Sequence, residues 1–164
     1  MTKNSLPLVL AAGLAFVASQ AYLIQLLGDL RPNILILQLT FDANRYWKIL
    51  GQWGEAGREA YRRHFVYDTL HALNYAAFGY LLATRGGLFA AADAPAMRRA
   101  AWMLPVAALL DLLENQLQLQ VLDGPFGAPV AAIPLSALCA AGKWALVLAF
   151  ALWMGWRLSA KLGR

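Results

Sequence analysis

Four apolar stretches alternate with polar ones along the 164 residues, and their lengths predict an all-α protein that crosses a bilayer about four times. The first, 6–28, holds no charged residue and is followed by Asp29. Lys3, the apolar run to Ala18 and the small residues Ser19 and Ala21 also fit a cleaved signal peptide. Apolar character nevertheless continues past that cut through Tyr22, Leu23 and Ile24 to Leu27, which favours a retained span. The others are expected at 65–84, 102–122 and 130–156. Pro105 is expected in the first turn of the third span, where its missing donor does little harm. Asp123-Gly124-Pro125-Phe126-Gly127 is expected to turn the chain into the fourth.

The segment 29–63 is the one sizeable piece outside these stretches. Asn33 to Phe41 is apolar and β-branched enough to be extended or to lie along the membrane surface. Asp42 is placed to cap a short helix carrying Tyr46, Trp47 and Leu50 beside Arg45 and Lys48. That mixture of aromatic and basic side chains predicts an interfacial anchor, with a lid over a pocket as the alternative. Gly51, Gly54 and Gly57 are expected to end or bend it. The pattern as a whole describes one domain, 1–164: an integral membrane four-helix bundle with a short amphipathic interfacial helix in its first connection.

Composition changes this picture little. Hydrophobic residues make up 60% of the chain and charged ones 14%, against about a quarter charged in soluble domains. The formal charge of +5 comes from Lys and Arg spread over short segments and not gathered on one face, which argues against nucleic acid. Cys139 is the single cysteine, so an internal disulfide and paired-thiol redox chemistry are excluded. Seven basic residues fall in the N-terminus, the 85–99 connection and the C-terminal tail, against none in the Asp123 turn, while 29–63 opposes this with six basic residues offset by four acidic ones. The positive-inside rule then predicts a cell inner membrane protein with both termini cytoplasmic.

Polar residues interrupt the apolar spans at helical spacing. In the third span Asp111, Glu114, Asn115 and Gln118 follow i, i+3, i+4, i+7 and share one face. The second supplies Tyr61, His64, Asp68, His71 and Tyr75 at intervals of three and four, and the fourth supplies Ser136, Cys139 and Lys143. Two mid-span acids cost about 2.5–3.5 kcal/mol each on insertion scales, so partners are required. A rise of about 1.5 Å per residue places Asp111 and Lys143 at about 16 and 20 Å below the outer boundary. The same rise puts His71 and Glu114 near about 12 Å, with Asp68 and Ser136 at about 7–9 Å. The three stripes are therefore expected to converge on a polar pocket opening to the outer leaflet, with Lys143 at its floor. One lysine facing three acids implies a shared or exchangeable proton. His64 and His71 lie about 10 Å apart along one helix, too far to hold a single ion or a haem. No metal and no cofactor are expected.

Gly57-Arg58 followed by Tyr61, Asp68 and Tyr75, then Asp111-Leu-Leu-Glu114-Asn115 and Lys143-Trp144, resembles a family of uncharacterised small bacterial membrane proteins. The resemblance covers roughly Phe41 to Trp144 and brings no activity with it. In topology the chain is also similar to the EXPERA group, which includes the sterol isomerase and sigma-2 receptor proteins. That similarity implies a hydrophobic ligand cavity bearing acids from helices two and three, here Asp68, His71 and Glu114. Lys143 has no counterpart there.

These residues point to a multi-pass membrane protein with an acid-lined pocket for a lipophilic small molecule or lipid, with proton transfer as its possible chemistry. Glu114 and Asp111 would be acid or base and Lys143 the charge-balancing group. Asp68, His71, Tyr75, Asn115, Gln118, His64 and Tyr61 would line the site. The alternatives are a proton-coupled transporter or channel, as a homo-oligomer, and an accessory subunit built around a structural ion network.

Overall fold

The computed structural model describes residues 5–163, so Lys3 and Arg164, both counted in the charge argument above, lie outside the described residues. Five α-helices follow one another: α1 (Leu6–Leu27), α2 (Ile34–Gln38), α3 (Ala43–Arg85), α4 (Ala94–Asp123) and α5 (Ala132–Leu162). A single 3₁₀ turn, Ala91–Asp93, precedes α4, and no strand occurs among the described residues. Two helices, α1 and α5, are long and apolar enough to cross a membrane. The polar stripes of α3 and α4 lower their hydropathy, and those two do not reach the same threshold by composition.

Three boundaries differ from the sequence expectations. Asn33 to Phe41 is not extended: the Asn33 side chain accepts the Ile36 amide at 3.1 Å and starts the short helix α2, an N-cap the apolar run obscured. Asp42 does cap a helix, its Oδ1 accepting the Arg45 amide at 2.7 Å. That helix is not an amphipathic surface anchor, however, because Tyr46, Trp47 and Leu50 are all buried. It is the first part of α3, which breaks only at Gly54 (φ 65°, ψ −169°) and then continues to Arg85. Lastly, α4 starts at Ala94, which places Pro105 inside the helix and not in its first turn.

The end of the molecule where α4 ends and α5 begins is closed by a cap of large side chains. Leu27, Leu30 and Leu37 pack there against Tyr46, Leu50, Tyr61, Phe65, Val121 and Ile133. Two indole hydrogens pin the cap: Trp47 Nε1 donates to the Ala128 carbonyl at 2.8 Å and Trp53 Nε1 to the Pro32 carbonyl at 2.7 Å. At the other end α3 and α4 approach through alanines, with Ala72, Ala83, Ala100, Ala107 and Ala108 buried between them. Small residues of this kind let helix backbones close up. Arg157 pairs with Asp93 at 2.8 Å and Lys161 donates to the Gly87 carbonyl at 3.2 Å, tying the end of α5 to the α3–α4 connection.

The long helices form an open row and not a closed bundle. α1 packs on α3, α3 on α4 and α4 on α5, while α5 meets α3 only weakly. A cleft is left between α1 and α5 with α3 as its back wall. Every long helix also shows large apolar side chains on its outer surface, among them Leu14 (71% exposed) on α1 and Leu152 (75%) on α5. Val66, Leu70 and Leu73 do the same on α3, and Trp102, Leu109 and Leu113 on α4.

Candidate functional site

The stripe of α4 turns inward completely. Glu114 and Gln118 are 0% exposed, Asp111 is 2% and Asn115 is 4%. Lys143, reaching across from α5, sets its Nζ 2.6 Å from Asp111 Oδ1 and 2.6 Å from Glu114 Oε2. One ammonium thus joins both acids, Asp111 at a depth close to its own on the sequence argument and Glu114 one turn farther. Buried ions survive only where hydrogen bonds satisfy their remaining lone pairs. Here Tyr75 Oη donates to Asp111 Oδ2 at 3.1 Å, and Gln118 Nε2 donates to Glu114 Oε1 at 3.2 Å. The network then runs to the cap, where Gln118 Oε1 accepts from Tyr46 Oη at 3.1 Å and also from Tyr61 Oη. Burial holds the Tyr46 phenol above its ordinary ionisation range, so it serves as a donor.

A second group stands apart from this chain. Asp68 forms no ion pair among the described residues: its Oδ2 accepts from Asn115 Nδ2 at 2.7 Å. His64 Nδ1 bonds the Tyr61 carbonyl one turn back, and His71 Nδ1 lies 2.8 Å from Ser19 Oγ on α1. The His71 ring also stacks on Phe16, with centroids 5.5 Å apart.

These groups divide by what they face. The cleft holds about 750 Å³, within the size range of small-molecule sites. His64, Asp68, His71, Tyr75, Asp111 and Lys143 line it. Glu114, Asn115, Gln118 and Tyr61 do not line it; the first two and Tyr61 bond to the wall from behind, through Lys143, Asp68 and His64, and Gln118 bonds to Glu114 and Tyr61 in turn. Ser136 joins neither group, since its hydroxyl donates to the Ile133 carbonyl of its own helix at 2.9 Å. Polarity falls along the cleft: past Tyr75 the walls are Phe78, Leu82, Leu104, Phe150 and Met154.

Sequence reasoning missed the contributions of α1 and α2. Gln20 and Gln38 also line the cleft, and Ser19 holds His71. Ser19 and Gln20 interrupt an otherwise apolar span, which was the available signal. Gln38 offered none, since it lies in a stretch read as extended. No family model, curated protein or solved structure matches the chain.

Proposed function

We infer that the protein crosses the membrane four times and takes a lipophilic molecule or lipid sideways from the bilayer into the cleft between α1 and α5. The observation that carries this reading is the cleft itself, open along one edge of the helix row, with apolar side walls and a buried polar back wall. The four-span arrangement is supported by where polarity lies. The charged and amide side chains of α3 and α4 face each other, and their outward faces carry Leu, Val and Trp, as a lipid solvent requires. The basic residues Arg85, Arg98, Arg99 and Lys161 gather at one end, which the positive-inside rule assigns to the cytoplasm of an inner membrane protein.

Binding is favoured over catalysis. Of the two groups expected to exchange a proton, Asp111 faces the cleft, paired with Lys143 and Tyr75. Glu114 is sealed behind it and acts as a structural anchor for Lys143. Proton transfer to a bound molecule would therefore run through Asp111 and not through Glu114. Ala151, on the cleft wall of α5 and otherwise exposed, gives the test. Ala151→Trp is expected to keep the fold and to remove small molecules that copurify in mild detergent, as read by mass spectrometry. Identical extracts from both proteins, or no small molecule with either, would refute the reading.

A further inference from the structure

We propose that the cleft selects an amphiphile with an uncharged, polyhydroxylated head, which docks on a ladder of hydrogen-bond acceptors along α3. The proposal rests on the binding reading above and adds the chemistry of the head.

The ladder follows from hydrogen bookkeeping. The Tyr61 carbonyl can only accept, so the proton of a neutral His64 ring sits on Nδ1 and leaves Nε2 as a bare acceptor. His64 Nε2 is buried and has no partner among the described residues. Ser19 has one hydroxyl hydrogen, and it goes to the Phe16 carbonyl at 2.9 Å. Ser19 Oγ must then accept from His71 Nδ1, so His71 Nε2 is also an acceptor, and no described residue bonds it. Between the two rings lies Asp68, whose Oδ2 is taken by Asn115 and whose Oδ1 has no donor. His64, Asp68 and His71 are four and then three residues apart, on one face, and all three line the cleft.

Of the three acceptors His64 Nε2 is buried without a donor, which costs free energy, and Asp68 and His71 face the cleft beside it, so an occupant that brings donors is favoured over one that does not. Phosphate and carboxylate heads bring acceptors and negative charge to Asp68. An ammonium concentrates its donors at one point, whereas the ladder extends roughly 10 Å along the helix axis. Several hydroxyls on one head, as in a sugar or glycerol, match that spread. The side-chain amides of Gln20 and Gln38, unbonded among the described residues, flank the ladder from α1 and α2 with both donors and acceptors. The apolar stretch from Phe78 to Met154 receives the tail.

The test uses the full chain in phosphatidylcholine nanodiscs with three photoreactive probes sharing a dodecyl tail: a glucoside, an amine and a phosphate. The glucoside is expected to label cleft peptides of α1, α3 and α5 at least tenfold more than either other probe. His71→Phe, which keeps a ring against Phe16 but removes the acceptor, is expected to lower glucoside labelling roughly fivefold. Gln38→Leu, outside the ion network, is expected to do the same and decides the matter should His71→Phe not fold. Amine or phosphate labelling equal to that of the glucoside would overturn the head assignment and leave the binding reading standing. Absence of cleft labelling by all three would overturn both.

Discussion

Lys143 is flanked by two carboxylates at 2.6 Å, and all three side chains are buried. Removing one partner of a buried ion pair strands the other, at a cost of about 3–5 kcal/mol. Lys143→Met is accordingly expected to lower the melting temperature in detergent sharply. The triple change Asp111→Asn, Glu114→Gln, Lys143→Met should recover most of that loss, because no member of this ion cluster is then left charged and unpaired; a triple variant no more stable than Lys143→Met would contradict this account. Gln118 permits a second test. Tyr46 and Tyr61 both donate to the same oxygen, so either hydroxyl alone leaves it satisfied. Tyr46→Phe and Tyr61→Phe should each cost little, and the double variant should cost more than their sum by about 1 kcal/mol in a double-mutant cycle. At this scale the sequence was legible wherever residues recur at three and four along one helix, as Asp111 to Gln118 do. It was silent on which members face the cleft, because a shared stripe says nothing of how far a neighbouring helix wraps round it. Glu114 and Asp111, one turn apart, end on opposite sides of that division.

The helices of this protein are shaped by two glycines for opposite reasons. Gly54 takes a backbone conformation that side-chain-bearing residues scarcely adopt, with no atom within 4 Å of where a Cβ would stand. The cost of Gly54→Ala is therefore backbone strain alone, about 1–3 kcal/mol, and the first part of α3 should detach from the cap before the rest melts. Loss of hydrogen-exchange protection confined to residues 43–53 would register this; uniform loss along α3 would not agree with it. Gly79 is helical, but a Cβ there would stand 2.5–2.8 Å from three atoms of the Leu104 side chain. Gly79→Ala should force α3 and α4 apart, at a cost of about 1–3 kcal/mol in global stability, and Leu104→Ala on the same background should restore part of it. The existence of the long helices was readable from apolar run length. The fate of the aromatic segment at Tyr46 was not, since Trp and Tyr beside Arg and Lys suit a membrane interface and a buried cap equally well by composition.

For the molecule as a whole, the order of the helices in the row matters more than their number. The sequence supplied matching polar stripes but no reason for α5 to stay away from α1, and it is that separation which makes a cleft. The absence of charge from α1 fits its place at the end of the row, since it needs no ionic partner and meets the polar wall through the Ser19 hydroxyl and the Phe16 ring, both against His71. The network of Asp111, Glu114 and Lys143 depends instead on the last helix, and in the proposed four-span arrangement this constrains how the chain can be delivered to the bilayer. When α4 emerges, its two acids have no counter-ion, because Lys143 has yet to be synthesised. Chains truncated after Gly127 should therefore be anchored by α1 yet leave α4 outside the lipid, while full-length chains integrate it. Thiol-labelling of a Leu113→Cys variant on a Cys139→Ala background reads that difference directly: modification of the truncated chain and protection of the full-length one are expected, and equal protection in both would contradict it.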